Sequence, residues 1–254
     1  MKLTEVAIRP LIRVFFKSII FLIILSSCGE ERHAQRIVDN AIQAHGGNNY
    51  ENLKLEFDFR DYHYRMKREG GLFSYERIFM DSIGNKIEDN LTNDGFSRKI
   101  NGEKVKLTDE RKNAYKNSVN SVFYFALLPY GLNDPAVKKR LVGNSSIGST
   151  NYNIIEVTFE EDGGGEDFED VFYFWFRKDK YYLDFMAYTY ETDGGGVRFR
   201  EAINPQIENG IRFQNYKNYK PRDKNTPISD LEELYIRGEL EFLSDIEMKN
   251  ISVK

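Results

Sequence analysis

The chain is short of the residues from which many sites are built. Cysteine occurs once, at Cys28, and histidine only at His33, His45 and His63. A single cysteine excludes an intramolecular disulfide framework. The sequence has no HExxH pair, no GxSxG elbow and no GK[ST] after a glycine-rich loop. The patterned metalloprotease, serine-hydrolase and P-loop chemistries therefore have no carrier here. A long apolar run is also missing. Ser18–Leu25 is uncharged but follows Lys17 directly, well short of the ~20 residues of a spanning helix.

What stands around that run is informative. Lys2, Arg9, Arg13 and Lys17 precede it against one acid, Glu5. A basic segment, a short apolar core and small residues before a break describe a secretory signal peptide. Leu25-Ser26-Ser27-Cys28 resembles a bacterial lipobox, which implies cleavage before Cys28 and attachment of palmitate-type chains to it. An ordinary signal peptide ending near a cysteine is the alternative. Gly29 is not the aspartate that holds many lipoproteins at the inner membrane, and Glu30-Glu31 is similar to the acidic export signal of Bacteroidota surface lipoproteins. The implied address is the outer membrane, on either face. The expected layout is a signal peptide at 1–27, a tether at 28–33 and one domain over 34–254.

Residues 1–27 hold four basic residues and one acid, so the remainder carries 32 basic against 39 acidic residues, a net charge of −7. Such a domain is not a nucleic-acid binder by bulk electrostatics. The 19 Phe and 16 Tyr of the whole chain favour strands.

Ala34, Ile37, Val38, Ala41 and Ile42 fall at helical spacing, and His45 continues the stripe before Gly46-Gly47. That spacing predicts a helix with a glycine stop. Leu53, Leu55, Phe57 and Phe59 then alternate with Lys54, Glu56, Asp58 and Arg60, the mark of a strand with one wet face. Further strands are expected at 72–80, 86–89, 95–100 and 104–107. Thr108 is placed to cap a second helix with the stripe Tyr115, Val119, Val122, Phe123, Ala126 and Leu127, and Pro129 and Gly131 end it. A short helix is expected at Pro135–Leu141. A strand meander follows, in which 171–176 is apolar on both faces. The tail from Pro227 mixes a helical stretch with an alternating one.

This order resembles the LolA/LolB-like fold, and "AIQAHGGNNYENLKLEFDF", "LLPYGLNDP", "YYLDFMAYTY" and "NGIRFQNYKNYK" are similar to an uncharacterised Bacteroidota outer-membrane lipoprotein family, some of whose members are labelled aldolases. The resemblance implies an α+β fold: an unclosed antiparallel β-barrel, or half-barrel, with helices packed in its concave side. It also implies an apolar concavity that takes acyl chains. Expected cavity residues are Phe57, Phe59, Phe123, Phe174 and Trp175.

Three functions follow as expectations. The first is a membrane-anchored binding module for a lipid or acylated peptide. The second is an envelope scaffolding lipoprotein with a filled core and a protein partner. The third, ranked below both, is an enzyme whose polar site would join His45, His63 and Tyr62. A Schiff-base aldolase wants a lysine at a strand end of alternating β/α units, and the chain does not alternate so. No metal or cofactor is expected. Two bland readings stand beside these: His45 as a helix-end hydrogen-bonding group, and Tyr216–Lys224 as a wet strand end rather than a headgroup contact.

Overall fold

A computed structural model describes residues 31–162, 168–191 and 194–254. Cys28, the segment 1–27 read above as a signal peptide, and the "GGG" at 163–165 lie outside the described residues. Helix α1 occupies 31–45, so residues 31–33, read above as tether, belong to it. Strands β1 (Asn52–Phe59), β2 (Tyr62–Glu69), β3 (Leu72–Met80), β4 (Lys86–Thr92), β5 (Gly95–Ile100) and β6 (Glu103–Lys104) follow as an antiparallel meander. Helix α2 (Asp109–Ala126) comes next, capped as the sequence predicts: the Thr108 hydroxyl accepts the Arg111 N–H at 3.4 Å.

The second meander is β7 (Val137–Ile147), β8 (Thr150–Phe159), β9 (Phe172–Arg177), β10 (Leu183–Tyr190), β11 (Gly196–Glu208) and β12 (Ile211–Lys220). Helix α3 (Leu231–Ile236) precedes the last strands, β13 (Glu241–Ile246) and β14 (Met248–Val253). The helix expected at Pro135–Leu141 is instead the start of β7. Val137, Lys139 and Leu141 are half-buried while Lys138 and Arg140 are exposed, a two-residue period that only a strand satisfies.

Each meander forms a seven-stranded sheet. Only Glu247 separates β13 from β14, yet β13 pairs with β12 and β14 pairs with β1. One C-terminal ribbon therefore joins the two sheets along one side. The opposite edges, β6 and β7, do not pair. The result is an unclosed antiparallel half-barrel with helices in its concavity.

The apolar stripes explain the packing. Ala34, Ile37, Val38 and Ala41 of α1 are buried against Phe172, Phe174, Phe176 and Met186 of the second sheet. Val119 and Phe123 of α2, with Leu127 just after it, are buried against Leu55, Phe57, Tyr64 and Tyr75 of the first. Tyr124 and Phe125, on another side of α2, reach the second sheet's core, so α2 contacts both walls. The doubly apolar strand β9 is covered twice: its other face, with Tyr173 and Trp175, lies under Leu231 and Tyr235 of α3.

A candidate ligand groove between helix α2 and the two sheets

Where α2 leaves the sheets apart, a groove of about 370 Å³ opens. Typical small-molecule sites span roughly 300–1,000 Å³, so this one suits a single apolar chain rather than two. One wall is the end of β1 and β2, with Phe57, Phe59, Tyr62 and Tyr64. Val122, Phe125 and Ala126 of α2 form the roof, and Tyr216, Ile246 and Met248 close the far side. These positions follow from strand alternation: Phe57 and Tyr64 are cross-strand partners with rings stacked at 5.3 Å. Burial pushes the Tyr64 and Tyr216 hydroxyls up, so both stay neutral.

The groove also holds charge, of one sign. Arg60, Arg77 and Arg200 line it, and among the described residues no Asp or Glu does. Arg77 belongs to a buried triad built by register, since Arg77, Asp89 and Arg98 face one another across β3, β4 and β5. The Asp89 carboxylate is fully buried and accepts from Arg77 at 2.7 and 3.0 Å and from Arg98 at 2.6 and 2.9 Å. Arg77 also donates to Ser118 of α2 at 2.8 Å, and Arg98 lies 3.5 Å over the Tyr115 ring. Gln214 is buried and donates to the Leu183 carbonyl and the Tyr216 hydroxyl. Sequence reasoning missed Arg77, Arg200 and Gln214. Their signal was available as charged or amide side chains at inward strand positions, where an ion is tolerated only with partners.

The expected site residues are not brought together. Phe57 and Phe59 line the groove. Phe123 is fully buried beside it, packed on Phe57, Tyr64 and Tyr75. Phe174 packs under α1, while Trp175 faces the other way and donates to Glu232 of α3. Tyr62 lines the groove, whereas His63, its neighbour on β2, is half-exposed and bonds Asp58 at 2.7 Å.

His45 sits elsewhere, at the end of α1. Its Nδ1 donates to the Ala41 carbonyl at 2.8 Å, and its Nε2 accepts the Leu183 N–H of β10 at 3.4 Å. This ring is a neutral clip between helix and sheet. Burial lowers its pKa to about 4, the Arg212 charge adds to the effect, and the Ala41 hydrogen bond opposes it. An unfolded histidine titrates near 6.5. Between those values the unfolded chain binds a proton that the folded chain excludes, so stability falls as pH drops through that window. The loss attributable to His45 is about 3 kcal/mol once both values are passed. Urea unfolding at pH 7 and pH 4.5 should show a drop that His45→Gln reduces by roughly 2–3 kcal/mol. An identical pH dependence in the variant would remove this account.

A larger depression, about 500 Å³, lies at the β7 edge. Its Arg140 and Glu156 bind each other through paired hydrogen bonds, which leaves it a solvated cleft of satisfied charges. Among the described residues no cluster of three or more His, Cys, Asp or Glu could hold a metal ion.

Residues 13–248 match a family described as a family of unknown function, DUF6503. No curated protein matches the chain. Among solved structures, a DUF1329 family protein from Desulfovibrio piger is 10% identical over 86% of this chain and 92% of its own, with a TM-score of 0.43. A LolA superfamily protein from Nitrosomonas europaea is 13% identical over 85% of this chain and 92% of its own, with a TM-score of 0.42.

Proposed function

We propose that this chain, which belongs to the DUF6503 family of unknown function, is an envelope binding module that holds one apolar ligand chain in the groove between α2 and the two sheets. The observation that carries the reading is the unfilled volume of about 370 Å³ between aromatic walls. Small-molecule sites are concave, mostly apolar and carry a few placed polar groups, and this aromatic-lined groove with its polar lining has that composition.

In this proposal residues 1–27 are a lipoprotein signal, acylated Cys28 anchors the mature chain at the outer membrane, and the folded body is a single domain. The ligand is a lipid or an acylated peptide whose tail enters beside Phe59 and Tyr62. A scaffolding role has one observation in its favour: Phe242 and Leu243 on β13 are 54% and 40% exposed. An enzyme built on His45, His63 and Tyr62 has no geometric support, because the three face different surroundings.

The test uses Ala126→Trp, which places an indole in the groove. The neutral apolar probe N-phenyl-1-naphthylamine should bind the Cys28→Ser chain at one site in the absence of detergent. It should lose at least about tenfold in affinity, 1.4 kcal/mol, when Ala126→Trp is added with the unfolding midpoint kept. Absence of one-site binding, or equal binding by both proteins, would overturn the reading.

A further inference from the structure

The groove is basic inside an acidic protein. Residues 28–254 carry a net charge of −7, yet among the described residues the groove's charged lining is Arg60, Arg77 and Arg200. An apolar tail by itself does not call for that arrangement. We infer that the ligand is a single-chain amphiphile with an oxyanion head, a fatty-acid-type carboxylate or its phosphate counterpart, and that Arg200 and Arg60 bind that head. The inference rests on the groove's being a ligand site and names the ligand's class.

Arg200 is the stronger observation. It is 9% exposed, and among the described residues its only side-chain hydrogen bond is from Nη2 to the Tyr188 hydroxyl at 2.7 Å. Its buried Nε has no partner. The guanidinium lies 4.3 Å over the Phe125 ring and 5.0 Å over Tyr188. Ring faces offset part of the charge. They supply no counter-ion, and burying a cation without one is costly. Close by in the same lining, the buried Gln214 Oε1 is also unpartnered. Arg77 adds to the demand, because it shares one carboxylate, Asp89, with Arg98. Two cations on one anion leave a net positive charge behind the groove wall.

Arg60 supplies the second argument. It occupies the two-residue turn between β1 and β2 with φ +55°, a conformation that glycine adopts freely and a side-chain-bearing residue at a cost. The residue in that strained position carries a cation over the Phe59 ring, 5.2 Å away, at the groove lining. An arginine is the residue suited to carboxylate or phosphate through its forked donors.

The experiment titrates the Cys28→Ser chain with laurate, lauryl phosphate and the neutral monolaurin by calorimetry. Charge-assisted hydrogen bonds predict at least about tenfold tighter binding of an anion over monolaurin. Arg200→Met, which keeps the apolar stem, should shrink that preference to within about threefold, chiefly by weakening the anions. Arg60→Met should lower it by a smaller factor. With the unsubstituted groove, raising salt should weaken the anions and spare monolaurin, so the inference stays testable even where a variant fails to fold. Tighter laurate than lauryl phosphate assigns the head to a carboxylate, and the reverse assigns it to a phosphate. Equal affinity of monolaurin and both anions overturns the inference while sparing the groove reading. Failure of all three to bind overturns both.

Discussion

Asp89→Asn should destabilise the fold by about 3–5 kcal/mol, the range for breaking a buried ion pair by removing one partner. The substitution keeps the shape and deletes the charge. It leaves Arg77 and Arg98, with side chains only 8% and 10% exposed, facing each other without an anion. Native domains hold roughly 5–15 kcal/mol in total, so this one atom exchange removes a large share. In a chain of this size it should lower the thermal midpoint by roughly 10 °C. The damage should spread to α2, because Ser118 and Tyr115 are held by these arginines. Replacing all three groups by apolar residues of similar volume, Arg77→Met, Asp89→Leu and Arg98→Met, should restore most of the loss, since it removes the desolvated charges together. Urea denaturation of the four proteins checks both results. A loss below about 1 kcal/mol for Asp89→Asn would mean that the two cations are not compensated by Asp89.

Cys28→Ser should move nearly the whole population of the protein off the membrane. The apolar run Ser18–Leu25 is too short to span and, on the proposed reading as a signal peptide cleaved before Cys28, is removed. Anchoring would then depend on the acyl chains. Each buried methylene contributes about 0.8 kcal/mol, and one myristoyl chain holds a protein only marginally, so stable anchoring takes more than one signal. Removing the attachment atom removes all of them at once. Fractionation after alkaline carbonate treatment should find wild type in the membrane pellet, and the variant soluble in the envelope or stalled as an uncleaved precursor. Unchanged membrane anchoring would refute lipid attachment at this position.

The same physics explains which parts were legible in the sequence. The first helix and first strand announced themselves, because each has one buried face: Ile37 and Val38 at helical spacing, Leu53, Leu55 and Phe57 at strand spacing. The helix over α2 was equally plain, with its cap at Thr108. The stretch from Pro135 failed because Val137–Leu141 is short, half-buried and at a sheet edge, where either period fits so few residues. Strand β9 showed that it was covered on both sides, but not by what; α3 is some sixty residues distant in sequence, and that pairing is tertiary. The triad was the largest omission. Arg77, Asp89 and Arg98 each stand on the apolar face of their strand, beside Tyr75, Leu91 and Phe96, and only the register shows that they compensate one another. The groove was legible only as a list of aromatics. Phe57 and Phe59 reach it, whereas Phe174 and Trp175 belong to two different cores on opposite faces of one strand.

The central claim is that the space between α2 and the two sheets takes the ligand's tail. It is tested most directly by crystals of the Cys28→Ser chain grown with 12-bromododecanoate, with the bromine located from its anomalous signal. The account predicts one bromine peak inside the groove, at the end away from the carboxylate held by Arg60 and Arg200. A groove closed by its own side chains, or bromine bound only outside it, would contradict the claim.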